Sequence, residues 1–133
     1  MNIMIPVSPG ELVDKITILE IKKKNITSDS KLKLIKTELS QLKRISEIML
    51  RSTGRIKSSV LAEKKKLKAI NKKLWDIENR IRAKEAKQSF DKGFIDLARL
   101  VYLTNDKRSE IKNSINVLVG SNIKEVKQYS KYK

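Results

Sequence analysis

The sequence has no cysteine and no histidine. This absence excludes thiolate and imidazole chemistry, the usual zinc sites and any structural disulfide, and it fits a reducing compartment. No run approaches the length of about 18 apolar residues that a membrane span needs, and the first residues lack the basic start of a signal peptide. We therefore expect a cytoplasmic protein with no membrane span, no metal and no cofactor.

Aromatic residues are also scarce, at 5%, whereas charged residues reach 35%, a balance that suits long exposed helices with narrow apolar stripes. Lys and Arg outnumber Asp and Glu by 31 to 15, so the net charge is +16. Such a charge would attract nucleic acid or another polyanion at low salt. The lysines are scattered, however, and they accompany abundant isoleucine and asparagine, which indicates an AT-rich coding bias. Compositional bias is the first interpretation of the charge, and a polyanion-binding face is the alternative.

Apolar residues recur every three or four positions in four stretches, which predicts four helices. The first helix begins at Ser8-Pro9-Gly10-Glu11, where Ser8 is predicted to cap the helix and Glu11 to close a capping box, and it runs to about Lys24. Both sides of this helix are apolar, which predicts a position between neighbours. The other helices are predicted over residues 31–51, 55–87 and 91–120, with Gly120 ending the last.

The connections between these helices are short, so neighbouring helices should be antiparallel. The predicted fold is an all-α antiparallel bundle of about four helices with a long coiled-coil-like hairpin. Residues 1–120 form its single domain, since 133 residues suffice for one core. Residues 3–7 are predicted to extend and pack against the bundle, and residues 121–133 form a lysine-rich tail, either loose or with a short helical turn.

Polar side chains interrupt the apolar stripes where the helical period predicts burial. Glu20 lies within the apolar arc of the first helix, and Arg108 lies near the middle of the fourth stripe. Because buried charges must be paired, we expect Arg108 to pair with Glu20 or with Glu78. The predicted polar cluster consists of Glu20, Glu78, Arg82, Thr104, Asn105 and Arg108, with Asn71 on the same helix face as Glu78 and Arg82.

This cluster has two interpretations. In the first, its charges set helix register and partner choice and have no other role. In the second, they line a pocket for a small anionic or sugar-like ligand, with Arg82 and Arg108 as donors. No catalytic constellation requires an enzyme. Three further residues are candidates for contacting a partner, Trp75, Arg99 and Tyr102, and Trp75 is also a candidate core anchor.

Three segments resemble the motifs of DUF6165, a family of small uncharacterised helical proteins from bacteria and some viruses. They are residues 8–22 (SPGELVDKITILEIK), 74–82 (LWDIENRIR) and 97–108 (LARLVYLTNDKR), and the last is followed by two shorter matches, Ile115-Asn116 and Lys127-Gln128-Tyr129. The resemblance implies a helical fold and carries no activity, although members lie near genes for glycosyl transfer and surface polysaccharide. The start of the first helix is also similar, over that helix alone, to all-helical chorismate mutases, but it lacks their early arginine.

The function favoured by these observations is that of a non-enzymatic interaction or assembly protein. Four helices present more apolar faces than a bundle of this length readily covers, so we expect a homo-oligomer. Two alternatives stay open. The protein could be a basic nucleic-acid-binding protein that uses lysine-rich helix faces and the tail, or a small-molecule or sugar-related accessory protein or enzyme that uses the Glu/Arg cluster.

Overall fold

A computed structural model describes residues 1–132 of the chain. It contains four helices and a short 3-10 turn, and no strand occurs in this part of the chain: α1 (Pro9–Asn25), α2 (Asp29–Ser52), the turn Gly54–Ile56, α3 (Lys57–Ala86) and α4 (Lys92–Val119). Each predicted helix is confirmed, with its ends within two residues of the prediction. The predicted all-α bundle is therefore confirmed. No helix within residues 1–132 combines the length and the apolarity that crossing a membrane requires.

Helix α1 lies at the centre of the bundle, since it contacts α2 on one side and the α3–α4 hairpin on the other. The prediction that this helix lies between neighbours is therefore confirmed. Two apolar clusters cover its two sides. Against α2 the buried residues are Leu12, Ile16, Leu19, Ile35 and Leu39. Against α3 and α4 they are Val13, Val60, Leu67 and Ile115.

The N-terminus of α1 is capped from two directions. The hydroxyl of Ser8 accepts a hydrogen bond from the Glu11 N–H at 3.1 Å, as the capping sequence predicts. The Gly10 N–H donates to Asn116 Oδ1 at 2.7 Å, so α4 supplies a second cap. The carboxylate of Glu11 does not complete the predicted capping box, because it pairs with Lys112 of α4 at 2.6 Å. These contacts attach the start of α1 to the C-terminal half of α4.

The two ends of the chain differ from their predictions. Residues 3–7 were predicted to pack against the bundle, and this prediction is wrong, because Ile3, Ile5 and Val7 are exposed. Both apolar faces of α1 are covered by α2 and by the α3–α4 hairpin, so α1 offers these side chains no free apolar surface. After Gly120, which ends α4 in the left-handed region at φ 73° as predicted, the described tail is not helical. It returns along α4, where Glu125 N–H donates to Asn113 Oδ1 at 3.0 Å.

Candidate functional site

A network of polar side chains joins α1, α3 and α4 in the middle of the bundle. Its centre is Asp14, whose side chain is 1% exposed. Arg108 donates to both carboxylate oxygens, from Nε to Oδ1 at 2.9 Å and from Nη2 to Oδ2 at 2.5 Å. Asn71 Nδ2 donates to Asp14 Oδ1 and to Thr17 Oγ1, each at 2.9 Å. Asp14 thus receives donors from two other helices, which fixes how α1 sits against the hairpin.

The predicted pairing of Arg108 with Glu20 or Glu78 is wrong, because Arg108 pairs with Asp14. Six residues separate Asp14 from Glu20, which turns their side chains about 120° apart around the helix. Glu78 instead pairs with Arg82 of its own helix at 3.5 Å. The hydrogen bonds to Asp14 raise the pKa of Arg108 above its usual value, although partial burial acts in the opposite direction. Arg108 therefore stays charged inside the bundle.

A polar ladder continues this network along α1 and α4. Buried Lys112 lies one turn after Arg108 and pairs with Glu11 at 2.6 Å and with Glu125 at 2.7 Å. Burial opposes the charge of Lys112, but hydrogen bonds to the two carboxylates outweigh burial and raise its pKa. The sequence analysis missed this ladder. The signal that could have revealed it is a row of polar residues at four-residue spacing on α4: Thr104, Arg108, Lys112 and Asn116.

A groove of about 400 Å³ lies beside Arg108, between α1, α3 and α4. We call it the tryptophan groove, because Trp75 is its aromatic residue. Its polar lining residues are Asn71, Glu78, Asn79, Arg82, Asn105 and Arg108, and its aliphatic ones are Ile18, Ile21 and Leu74. Four members of the predicted cluster thus line one groove. The other two do not join it, since Thr104 borders a cleft beside the tail and Glu20 lies in a separate groove.

The charges of the tryptophan groove are balanced. The guanidinium of Arg108 is held by the buried carboxylate of Asp14, and that of Arg82 lies 3.5 Å from Glu78. Arg108 Nη1 also donates to Asn105 Oδ1 at 3.4 Å. Each cation therefore has a carboxylate beside it, and asparagine amides supply further neutral donors and acceptors. This lining suits a polar ligand without a large net charge.

The groove that contains Glu20 has a different character. Its carboxylate lies 2.7 Å from Lys68, 3.3 Å from Lys64 and 3.7 Å from Lys43. Partial burial would raise the pKa of Glu20, but the hydrogen bonds and charges of Lys68 and Lys64 outweigh burial and lower it. The groove measures about 350 Å³, and four lysines line it together with Glu20: Lys24, Lys65, Lys68 and Lys72. We call it the lysine groove. Lys43 and Lys64 contact Glu20 but do not line this groove.

The three candidate partner residues do not form one surface, since Trp75 lies on α3 whereas Arg99 and Tyr102 lie three residues apart on α4. Trp75 lines the tryptophan groove, while Arg99 is exposed on α4. Tyr102 is partly exposed and packs edge-to-face against Tyr132 of the tail, with ring centroids 5.5 Å apart. A role for these residues in contacting a partner stays a prediction. Among residues 1–132, no group of acidic side chains is arranged to hold a metal ion.

Comparison with known proteins identifies a family. The model of a family of unknown function, DUF6165, matches residues 3–132. No curated protein and no solved structure matches the chain. The three segments that resemble the family's motifs contribute to the polar network and the tryptophan groove: residues 8–22 carry Asp14 and Ile18, residues 74–82 carry Trp75 and Arg82, and residues 97–108 carry Arg108.

Proposed function

The chain belongs to the DUF6165 family, whose function is unknown, and on this premise we propose that it binds a neutral, sugar-like ligand in the tryptophan groove. The observation that carries the proposal is the charge balance of this groove inside a protein of net charge +16. A groove for a small anion would present unpaired cations. Both arginines of this groove have carboxylate partners instead, so the charges around the ligand cancel.

The lining also combines the two kinds of contact that a sugar ring requires. Trp75 offers a flat apolar surface, and the aliphatic residues beside it extend that surface. Asn79, Asn105 and Glu78 offer donors and acceptors for hydroxyl groups. The volume of about 400 Å³ lies in the lower part of the range of about 300–1,000 Å³ that is typical of small-molecule sites. The groove therefore suits one or two sugar rings.

The proposed activity is binding and not catalysis. Glycoside chemistry requires two carboxyl groups that face each other across the ligand, about 5–10 Å apart, with one of them free to donate a proton. The carboxylate of Asp14 is buried under Arg108 and Asn71, and only Glu78 lines the groove itself. This arrangement favours a binding or accessory protein.

Trp75 is the only tryptophan of the chain, so its fluorescence reports on this groove alone. We would titrate the full chain with glucose, galactose, N-acetylglucosamine and short neutral oligosaccharides, and separately with inorganic phosphate and citrate. We expect a saturable change with at least one neutral sugar, with a Kd of about 1 mM or below, and no saturable change with the anions. Saturation by the anions alone, or by no ligand of either class, would contradict the proposal.

Two matched substitutions test whether the groove itself binds the sugar. Glu78→Ala removes an acceptor in the groove, and we expect it to weaken sugar binding about tenfold, the effect of one hydrogen bond to a charged group. Glu47→Ala makes the same chemical change on the exposed surface of α2 and should leave the affinity unchanged. Equal effects of the two substitutions would place the binding elsewhere.

A second candidate function is self-association through α2. Leu34, Ile45 and Ile48 are each 48% to 72% exposed, and they lie within about 60° of one another around the helix. This unpartnered apolar stripe favours a second copy of the chain as its occupant, which is the assembly role that the sequence suggests. Copies of charge +16 repel each other, so association through apolar contact should strengthen as salt screens the charge.

Sedimentation equilibrium from about 0.05 to 0.5 M salt tests this candidate. We expect a dimer that grows with salt and that Ile48→Glu abolishes. Ile95→Glu, an equivalent change at an exposed position of α4, should leave the dimer intact. A monomer at every salt concentration would contradict self-association without bearing on the ligand proposal.

A further inference from the structure

The lysine groove carries an excess of positive charge. Glu20 is the one carboxylate among its lining residues, and it contacts Lys43, Lys64 and Lys68. Lys24, Lys65 and Lys72 line the same groove, and within residues 1–132 none of these three forms an ion pair. Four lysines and one carboxylate therefore line the groove, and the carboxylate is already paired with Lys43, Lys64 and Lys68. Like charges that line one groove repel one another, and a ligand with several negative charges would relieve that repulsion.

The lysines of α3 form a row that suits a chain of charges better than a single ion. Lys65, Lys68 and Lys72 are separated by three and four residues, so they project from one face of the helix over about 10 Å. Lys24 of α1 faces this row across the groove. A single phosphate could contact only part of such a row, whereas a polyphosphate backbone could follow it.

The chemistry of the lining distinguishes between polyanions. Proteins that hold single-stranded nucleic acid stack its bases on aromatic side chains, and no aromatic residue lines this groove. Helices that lie on anionic membranes place large apolar residues beside their lysines, whereas the apolar lining here is limited to buried Ile21 and to Ala69. Lysine ammonium groups act as point charges that contact phosphates without reading bases.

We propose that the lysine groove is a docking surface for the phosphate backbone of a nucleic-acid duplex, which it binds without sequence preference. This surface is separate from the tryptophan groove, and its role does not depend on the ligand of that groove. Glu20 positions the lysines and is the one negative charge among the lining residues that a bound backbone would face.

The test is fluorescence anisotropy with labelled 20-base-pair duplexes of two unrelated sequences, with the full chain, from about 0.05 to 0.2 M salt. The variant Lys65→Gln, Lys68→Gln, Lys72→Gln removes the row. We expect it to weaken binding of both duplexes by about 10- to 100-fold at the lowest salt, and to reduce the slope of log affinity against log salt by about 3.

The matched control removes three lysines from another surface. Lys31→Gln, Lys33→Gln, Lys36→Gln changes the net charge by the same amount on exposed positions of α2, and we expect a loss of affinity below about threefold. Equal losses in the two triple variants would overturn the proposal, since the charge would then act only as a background. The proposal would also be overturned if a single-stranded oligonucleotide, or vesicles with anionic lipid, bound as tightly as the duplex and lost this affinity when Lys65, Lys68 and Lys72 are replaced.

A third variant is expected to tighten duplex binding instead of weakening it. Glu20→Gln removes the negative charge while keeping the size of the side chain, so we expect duplex binding to tighten about threefold or more at low salt. A role of Glu20 in folding alone predicts no such gain. Circular dichroism of every variant shows whether its helices are retained. If a triple variant loses them, the sign of the Glu20→Gln effect decides the proposal, and weakened or unchanged binding overturns it.

Discussion

Asp14 and Glu20 are carboxylates on the same helix, and the bundle surrounds them in opposite ways. Asp14 is 1% exposed and receives a two-pronged contact from Arg108 and a hydrogen bond from Asn71. The side chain of Glu20 is 14% exposed and has lysines from α2 and α3 at distances from 2.7 to 3.7 Å. The first carboxylate is part of the core, and the second is part of a charged surface.

The difference teaches how the choice of cation determines the role of a carboxylate. A guanidinium presents a rigid fork that matches both oxygens of Asp14 in one geometry, so the pair specifies a single position of α1 against α4. Ammonium groups have no such geometry, and Glu20 is satisfied by any of the lysines around it. We therefore expect substitutions at Asp14 to disturb the fold, and those at Glu20 to change mainly the surface electrostatics.

The largest expected effect comes from Asp14→Ala. This substitution leaves the charge of Arg108 and the amide of Asn71 without their buried partner, and such losses cost about 3–5 kcal/mol. Urea unfolding followed by circular dichroism at neutral pH measures the change in free energy of unfolding. A loss below about 1 kcal/mol would show that solvent reaches Arg108 and replaces the carboxylate.

The control for this prediction is a double variant, Asp14→Leu with Arg108→Leu. Replacing both members of a buried ion pair by apolar residues is often neutral or stabilising, so the double variant should regain most of the stability that Asp14→Ala loses. If it unfolds as easily as the single variant, shape and not charge is what the site requires. Leu39→Ala, on the apolar side of α1, should cost about 2–5 kcal/mol with no second substitution that restores it.

The next effect in size is expected at Gly10, where the start of α1 lies close to α4. A Cβ atom added here would lie 2.4 Å from the carbonyl oxygen of Lys112 and 2.8 Å from Asn116 Oδ1. Because the first of these atoms is backbone, the helices must separate, and we expect Gly10→Ala to cost about 1–3 kcal/mol. The Gly10–Asn116 hydrogen bond would lengthen as the helices move apart.

Gly93→Ala is the matched control on α4. Its added Cβ would lie 3.1 Å from Lys84 Nζ, the end of a flexible side chain that can move aside. Alanine also favours a helix over glycine, so this variant should be neutral or more stable by up to about 1 kcal/mol. Thermal unfolding of the two variants tests these predictions. An equal loss of stability at both positions would show that the contact between α1 and α4 does not explain the effect at Gly10.

The sequence predicts the helices well because their signals are local. The cap at Ser8, the left-handed Gly120 and the apolar stripes each depend on neighbouring residues, and all of them are confirmed. The partial burial of Arg108 is also predicted by its place in an apolar stripe. Its partner is not visible, because Asp14 lies 94 positions away and the pairing depends on how two helices rotate and shift against each other.

The two grooves show the same limit. The tryptophan groove brings together four residues of the predicted cluster, from the segments 74–82 and 97–108: Glu78, Arg82, Asn105 and Arg108. Glu20 lines the other groove, because the helical rotation places it on another face of α1. The sequence allows a polyanion-binding face but does not predict the lysine groove. Its lysines come from two helices, α1 and α3, and in the sequence they resemble compositional bias.

The smallest expected effect on stability is that of Glu20→Gln. The ion pairs of Glu20 lie near the surface, so at neutral pH and low salt we expect a loss of about 0–1 kcal/mol that shrinks as salt is added. Since the lysines lower the pKa of Glu20 in the folded state, its contribution is complete above the unfolded pKa of about 4.3 and is lost as pH falls through the folded value. The stability difference between wild type and Glu20→Gln, measured by urea unfolding, should therefore vanish in acid. The contrast would be contradicted if the stability difference exceeded about 2 kcal/mol at neutral pH and persisted in high salt. Glu20 would then be a structural carboxylate like Asp14.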